Sequence, residues 1–167
     1  MTLRFPGVDP SLYSGIRQKE ADRAELMKND VFISYATADI GAAHQIVAAL
    51  EASRLRCFIA SRDIPDGMEW AAAIIDAIFE TKLFLLLFSD NANRSIQMAR
   101  ELQLVQDRHI AILPVRLDGS SANPSIEFFL RRQAVFNASQ PPFERHLAPL
   151  VDVVQMRLGS EPARRPA

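Results

Sequence analysis

Short apolar runs alternate with amphipathic stretches along most of this 167-residue chain, and each change of period predicts a change of element. Val31-Phe32-Ile33 is rich in strand formers and stops at Ser34 and Tyr35, which predicts a first strand. Asp39 stands where a helix cap is expected, ahead of an apolar face at Ile40, Ala43, Val47 and Leu50. Residues 56–60 predict a second strand, and the turn-rich stretch 61–67 a loop. Trp70, Ile74, Ala77 and Ile78 outline the next helix. Residues 83–88 are apolar at every position, as suits a central strand covered on both faces. A polar loop, 89–95, leads to a helix marked by Met98, Leu102 and Val105, and 110–115 predict a fourth strand. Beyond Asp118 the pattern weakens. Ala134-Val135-Phe136 is the fifth strand expected, and Leu147, Leu150, Val151, Val154 and Leu158 outline a last helix.

Strands and helices alternating at this spacing suit right-handed crossovers between parallel strands. The expected fold class is α/β: a flavodoxin-like three-layer sandwich whose five-stranded parallel sheet runs 2-1-3-4-5, with helices on both faces. In that order the topological switch lies between strands 1 and 3, so a ligand belongs at their carboxyl ends. The domain is expected over residues 29–158. Residues 1–28, with Pro6, Gly7, Pro10 and Gly15 before a charged stretch, read as a partly helical extension, and 159–167 as a disordered tail or linker.

Composition narrows the picture. Apolar residues make up 49% of the chain, enough for one continuous core. Nineteen basic residues against twenty acidic ones leave a formal charge of −1, which predicts no nucleic-acid partner. The one cysteine, Cys57, permits no internal disulfide and no cysteine cluster for a metal, and its apolar neighbours predict a buried thiol. The N-terminus lacks a signal-peptide pattern and no apolar run is long enough to span a bilayer, so a cytoplasmic protein without membrane association is expected.

Motifs discriminate among families that share the architecture. A phosphoacceptor receiver needs an acidic cluster after strand 1, Asp at the end of strand 3 and Lys at the end of strand 5. Here those places hold Ser34-Tyr35, Ser89 with Asp90 one step late, and no Lys, only Arg131 and Arg132 ahead of strand 5. Residues 35–39 contain no Gly for a flavin phosphate loop, and the usual Gly-rich phosphate cradles are missing. By contrast, Asp30-Val31-Phe32-Ile33-Ser34-Tyr35 resembles the first box of Toll/interleukin receptor (TIR) domains. Arg62-Asp63-Ile64-Pro65-Asp66-Gly67 resembles the second, and Trp70 follows it as in bacterial members. Ser95, with Glu101-Leu102 six residues on, resembles the arrangement that carries the catalytic glutamate of NAD-cleaving members. Many of those carry Trp four residues before the glutamate, where this chain has Gln97; Phe128-Phe129 only loosely echoes the third box.

The resemblance implies an NAD⁺ glycohydrolase or cyclase, giving ADP-ribose or a cyclic ADP-ribose signal in bacterial immune defence. NAD⁺ is then a substrate, and no cofactor or metal is expected. It implies Glu101 as catalytic residue, with Ser34, Tyr35, Arg62, Asp63, Trp70, Ser95 and Gln97 binding substrate. It also implies homotypic assembly with other TIR domains through Ile64, Pro65, Asp66 and Gly67, where Ile64 is the expected exposed apolar tip. Plainer readings stand beside these. Flanked by Arg100 and Gln103, Glu101 alone would read as a solvated helix residue. Trp70 suits core packing, Ser34 a turn cap, and Arg62 with Asp63 a loop ion pair. His44, His109 and His146 lie at no interpretable catalytic spacing. The alternative function is a non-catalytic adaptor.

Overall fold

The computed structural model describes residues 28–159. Its centre is β3, Thr81–Phe88, which pairs in parallel with β1, Asn29–Ser34, on one side and β4, Ala111–Arg116, on the other. Side chains alternate across a strand, so an all-apolar run must be covered on both faces. Leu83, Leu85 and Leu87 pack against helices α1 (Ile40–Ala52) and α6 (Leu147–Arg157). Phe84, Leu86 and Phe88 face the layer of α3 (Trp70–Phe79), α4 (Ile96–Asp107) and α5 (Pro124–Leu130). Full burial of each such side chain contributes roughly 1.5–3 kcal/mol. With β2 (Cys57–Phe58) and β5 (Phe136–Asn137) at the edges, all strands are parallel in the order β2-β1-β3-β4-β5, the flavodoxin-like sandwich expected.

Local departures from the sequence reading have physical causes. Strand β2 is only two residues long because the chain turns at once into a short helix, α2, Ala60–Asp63. The Asp63 carboxylate reaches back to accept the Ile59 N–H at 2.8 Å, which stabilises that turn. Strand β5 starts later than expected: Val135 is 40% exposed, and Phe136 makes the pairing with Val115. Helix α5 escaped the apolar pattern, although Asn123 caps it and Pro124 opens it. In α1 the buried face is Ala43, Ile46, Val47 and Leu50, with Ile40 left exposed. Asp39 does not cap α1 with its side chain. The expected extension 1–28 and tail 159–167 lie outside the described residues, apart from Lys28 and Gly159. Among the described residues no helix is long and apolar enough to cross a membrane.

At the amino-terminal rim of the sheet, the carboxylate of Asp30 in β1 accepts the Arg56 backbone N–H at 2.9 Å. It also accepts Arg56 Nη2 at 3.1 Å and Lys82 Nζ, from β3, at 2.8 Å. Three adjacent strands are thereby tied at one end. Burial would raise the Asp30 pKa, but the hydrogen bonds from Arg56 and Lys82 more than offset it and hold the group well below the usual carboxylate range.

Candidate active site

Helix α4 begins at a cap: the Ser95 hydroxyl accepts the Met98 N–H at 3.2 Å. Met98, Leu102 and Val105 dock the helix on the sheet, and Glu101 shares that face, so docking carries its carboxylate inward. Only 5% of Glu101 stays exposed, which removes the reading of a solvated helix residue. Ser34 ends β1 on the side of the sheet where Phe32 points, and it too is buried. Its hydroxyl donates to Glu101 Oε2 at 2.5 Å. Gln97, one helical turn before Glu101, donates from Nε2 to Oε1 at 2.9 Å.

Each carboxylate oxygen thus has one donor, and neither donor is charged. Burial pushes the Glu101 pKa above the usual carboxylate range, and the hydrogen bonds from Ser34 and Gln97 offset only part of the shift. A carboxylate in this state gains from a nearby cation, which is the property a site for positively charged chemistry needs.

A second polar cluster frames the switch between β1 and β3. Ser89, just past β3, donates to Asp39 Oδ2 at 2.5 Å, and Asn91 donates to Oδ1 at 2.9 Å. The Ala92 N–H in turn donates to Ser89 Oγ at 3.2 Å. Sequence reasoning placed Asp39 as a cap and missed this bridge between the loops after β1 and β3. The signal was slight: polar residues following two apolar strands.

The other expected site residues are scattered. Tyr35 packs with the layer of α1 and α6, across the sheet from Glu101. Ser95 holds the helix rather than the carboxylate. Arg62 donates to Asp63 at 2.7 Å, to Glu51 at 3.0 Å and to the Cys57 carbonyl at 3.0 Å. Those bonds tie the pair to α1 and β2, and none of them reaches Glu101. Trp70 is 47% exposed at the start of α3, so it is not a core residue.

Ile64 corrects an expectation. It is buried in the α3–α4 layer, because the α2 turn directs it inward, and is not the exposed tip of its loop. Pro65, Asp66 and Gly67 are exposed, Gly67 at a φ of 86° that favours glycine, and Met68 supplies the loop's exposed apolar side chain. Cys57 is buried and its thiol is pushed up to about 12, chiefly by burial, so it is unreactive. Among the described residues no group of three or more His, Cys, Asp or Glu is arranged to hold a metal ion.

Known structures share this fold. The TIR domain of the Toll-related receptor TRR-2 from Hydra magnipapillata is 22% identical, with a TM-score of 0.61 over 74% of this chain and 98% of that one. A metazoan TIR-STING receptor from C. gigas, solved in complex with 2',3'-cGAMP, is 24% identical with a TM-score of 0.64. It is matched over 81% of this chain and 41% of its own. None of the curated proteins matches. A family model described as TIR domain matches residues 31–151, from the middle of β1 into α6. That stretch takes in β2 to β5, most of β1 and the Ser34–Glu101 pair, and the chain belongs to the TIR domain family.

Proposed function

We propose that this chain cleaves NAD⁺ between nicotinamide and ribose, with Glu101 as the catalytic residue. The observation that carries this reading is the buried Glu101 carboxylate at the carboxyl rim of the sheet, held by two neutral donors. In NAD⁺ the nicotinamide nitrogen is positively charged. When its bond to the ribose breaks, the electron pair leaves with the nitrogen and nicotinamide departs neutral, so no general acid is required. A glycosidase acting on an alkoxide leaving group does require one, hence its carboxylate pair. The positive charge passes to an oxocarbenium-like ribose, which an anion short of compensating charge stabilises.

Capture by water, with loss of a proton, gives ADP-ribose; capture by a nucleophile of the same molecule gives a cyclic product. Ser34 and Gln97 hold the carboxylate in one orientation, and the Asp39–Ser89–Asn91 cluster holds the facing loops. In a bacterial cell such an activity would serve defence by consuming NAD⁺ or releasing a signal.

The second reading is an adaptor acting through TIR–TIR contacts. Met68 and Trp70, 57% and 47% exposed close together in sequence, favour it. Purified protein incubated with NAD⁺ separates the two. Free nicotinamide is expected, rising more than linearly with protein concentration if assembly completes the site. Concentrated, assembled protein that releases none would leave the adaptor.

A further inference from the structure

A cavity of about 580 Å³ opens where α4 gives way to β4 and α5 ends. Because the sheet is parallel, this is the amino-terminal end of β4, the opposite rim from Glu101. His109, Arg131 and Arg132 line the cavity together with Gln106 and Gln133, and no acidic side chain does. Gln106, His109, Arg131 and Arg132 are exposed at its mouth, and none of the five side chains has a hydrogen-bond or ion-pair partner among the described residues.

Two further features shape the wall. Phe128, also in the wall, is 65% exposed, whereas Phe32, Phe84 and Phe88 are fully buried. It meets Phe129 edge-on, with ring centroids 5.4 Å apart. His109 closes α4 with a left-handed φ of 54°. Its N–H reaches the Gln106 carbonyl, and the Ile110 N–H reaches that of Val105, the pattern that usually takes glycine there. Arg54 closes α1 in the same left-handed way, so the conformation is a helix ending, and what His109 adds here is an imidazole in the wall.

We propose that this cavity binds a small anion carrying a flat ring, of the nucleoside monophosphate class, at a site on the opposite rim of the sheet from Glu101. Two guanidinium forks match phosphate oxygens, glutamine amides match the edge of a ring, and a phenyl face stacks on it. The volume falls in the ordinary range for small-molecule sites, roughly 300–1,000 Å³.

The test is calorimetric titration of the full chain with adenosine monophosphate and, separately, with inorganic phosphate. Saturable binding of the nucleotide is expected, weakening as salt rises. Replacing both Arg131 and Arg132 by Ser should weaken it by about tenfold or more, and replacing both by Lys by less, since charge remains without the fork. Phe128→Ala should weaken the nucleotide by about fivefold or more and leave inorganic phosphate unaffected. Glu101→Gln should leave both affinities unchanged. No saturable binding of the nucleotide overturns the proposal. So does nucleotide binding that the double arginine variant retains undiminished, whatever Glu101→Gln does to it. These outcomes leave NAD⁺ cleavage at Glu101 to its own test.

Discussion

Two buried carboxylates sit at opposite rims of one sheet and are treated in opposite ways. Asp30, at the amino-terminal rim, faces Arg56 and Lys82 and is held well below the usual carboxylate range. Glu101, at the carboxyl rim, faces a serine hydroxyl and a glutamine amide and is pushed above it. A buried charge with its countercharges in place is a structural tie. One that lacks them costs stability and remains available to a cation that arrives later. The fold therefore compensates the buried charge at one rim and leaves it without a countercharge at the other, the end of the sheet where this architecture binds ligands.

Removing the charge at the open rim is the most severe test of that contrast. Glu101→Gln keeps the shape and should lower nicotinamide release by about 10²–10³-fold. It should leave stability within about 1 kcal/mol of the parent, or raise it at a pH where Glu101 is ionised, because a buried charge without a countercharge is then gone. Equal turnover in the variant would remove Glu101 from the mechanism. Leu86→Ala, in the strand joining both rims, should cost about 2–5 kcal/mol in denaturant unfolding and weaken both ends together. A loss below about 1 kcal/mol would contradict a central, doubly covered β3.

At the closed rim, Asp30→Asn should cost about 1–2 kcal/mol, a value discounted because Arg56 and Lys82 keep much of their exposure. The two carboxyls also predict opposite pH slopes. Asp30, with its folded pKa lowered, contributes stability present above the unfolded carboxyl value of about 4 and lost as pH falls below it. For Glu101, whose folded pKa is raised, the contribution is full below about pH 4 and is lost as pH rises through the folded value. Acid unfolding of Asp30→Asn should accordingly be less steep than that of the parent, and Glu101→Gln should gain on the parent as pH rises from 4 toward 7. Parallel curves for all three proteins would erase the distinction.

The smallest effect concerns Gln97. Removing its amide with Gln97→Leu takes away one hydrogen bond that lowers the Glu101 pKa. Turnover should fall about twofold to tenfold, and the acid limb of the pH–rate profile should move to higher pH. A profile that stays in place would make Gln97 a packing residue only.

The order of elements, the parallel sheet and the burial of residues 83–88 were legible in the chain, because hydrophobic period and the Gly and Pro turns are local properties. So were the family motifs that single out Ser34 and Glu101. What local pattern could not supply was the direction of individual side chains. Ile64 and Trp70 exchanged roles: a four-residue helical turn folded Ile64 inward, while Trp70, at the first turn of α3, stayed exposed. Tyr35 and Ser34 are neighbours in sequence but face opposite layers, since successive residues of a strand point to opposite sides.

Tertiary structure alone decided that Glu101 is buried, that Ser34, 67 residues away, donates to it, and that Asp39 bonds to Ser89 rather than capping its helix. The reason is physical. A carboxylate's state depends on which donors, cations and waters surround it in three dimensions, and only the docking of α4 on the end of β1 sets those for Glu101.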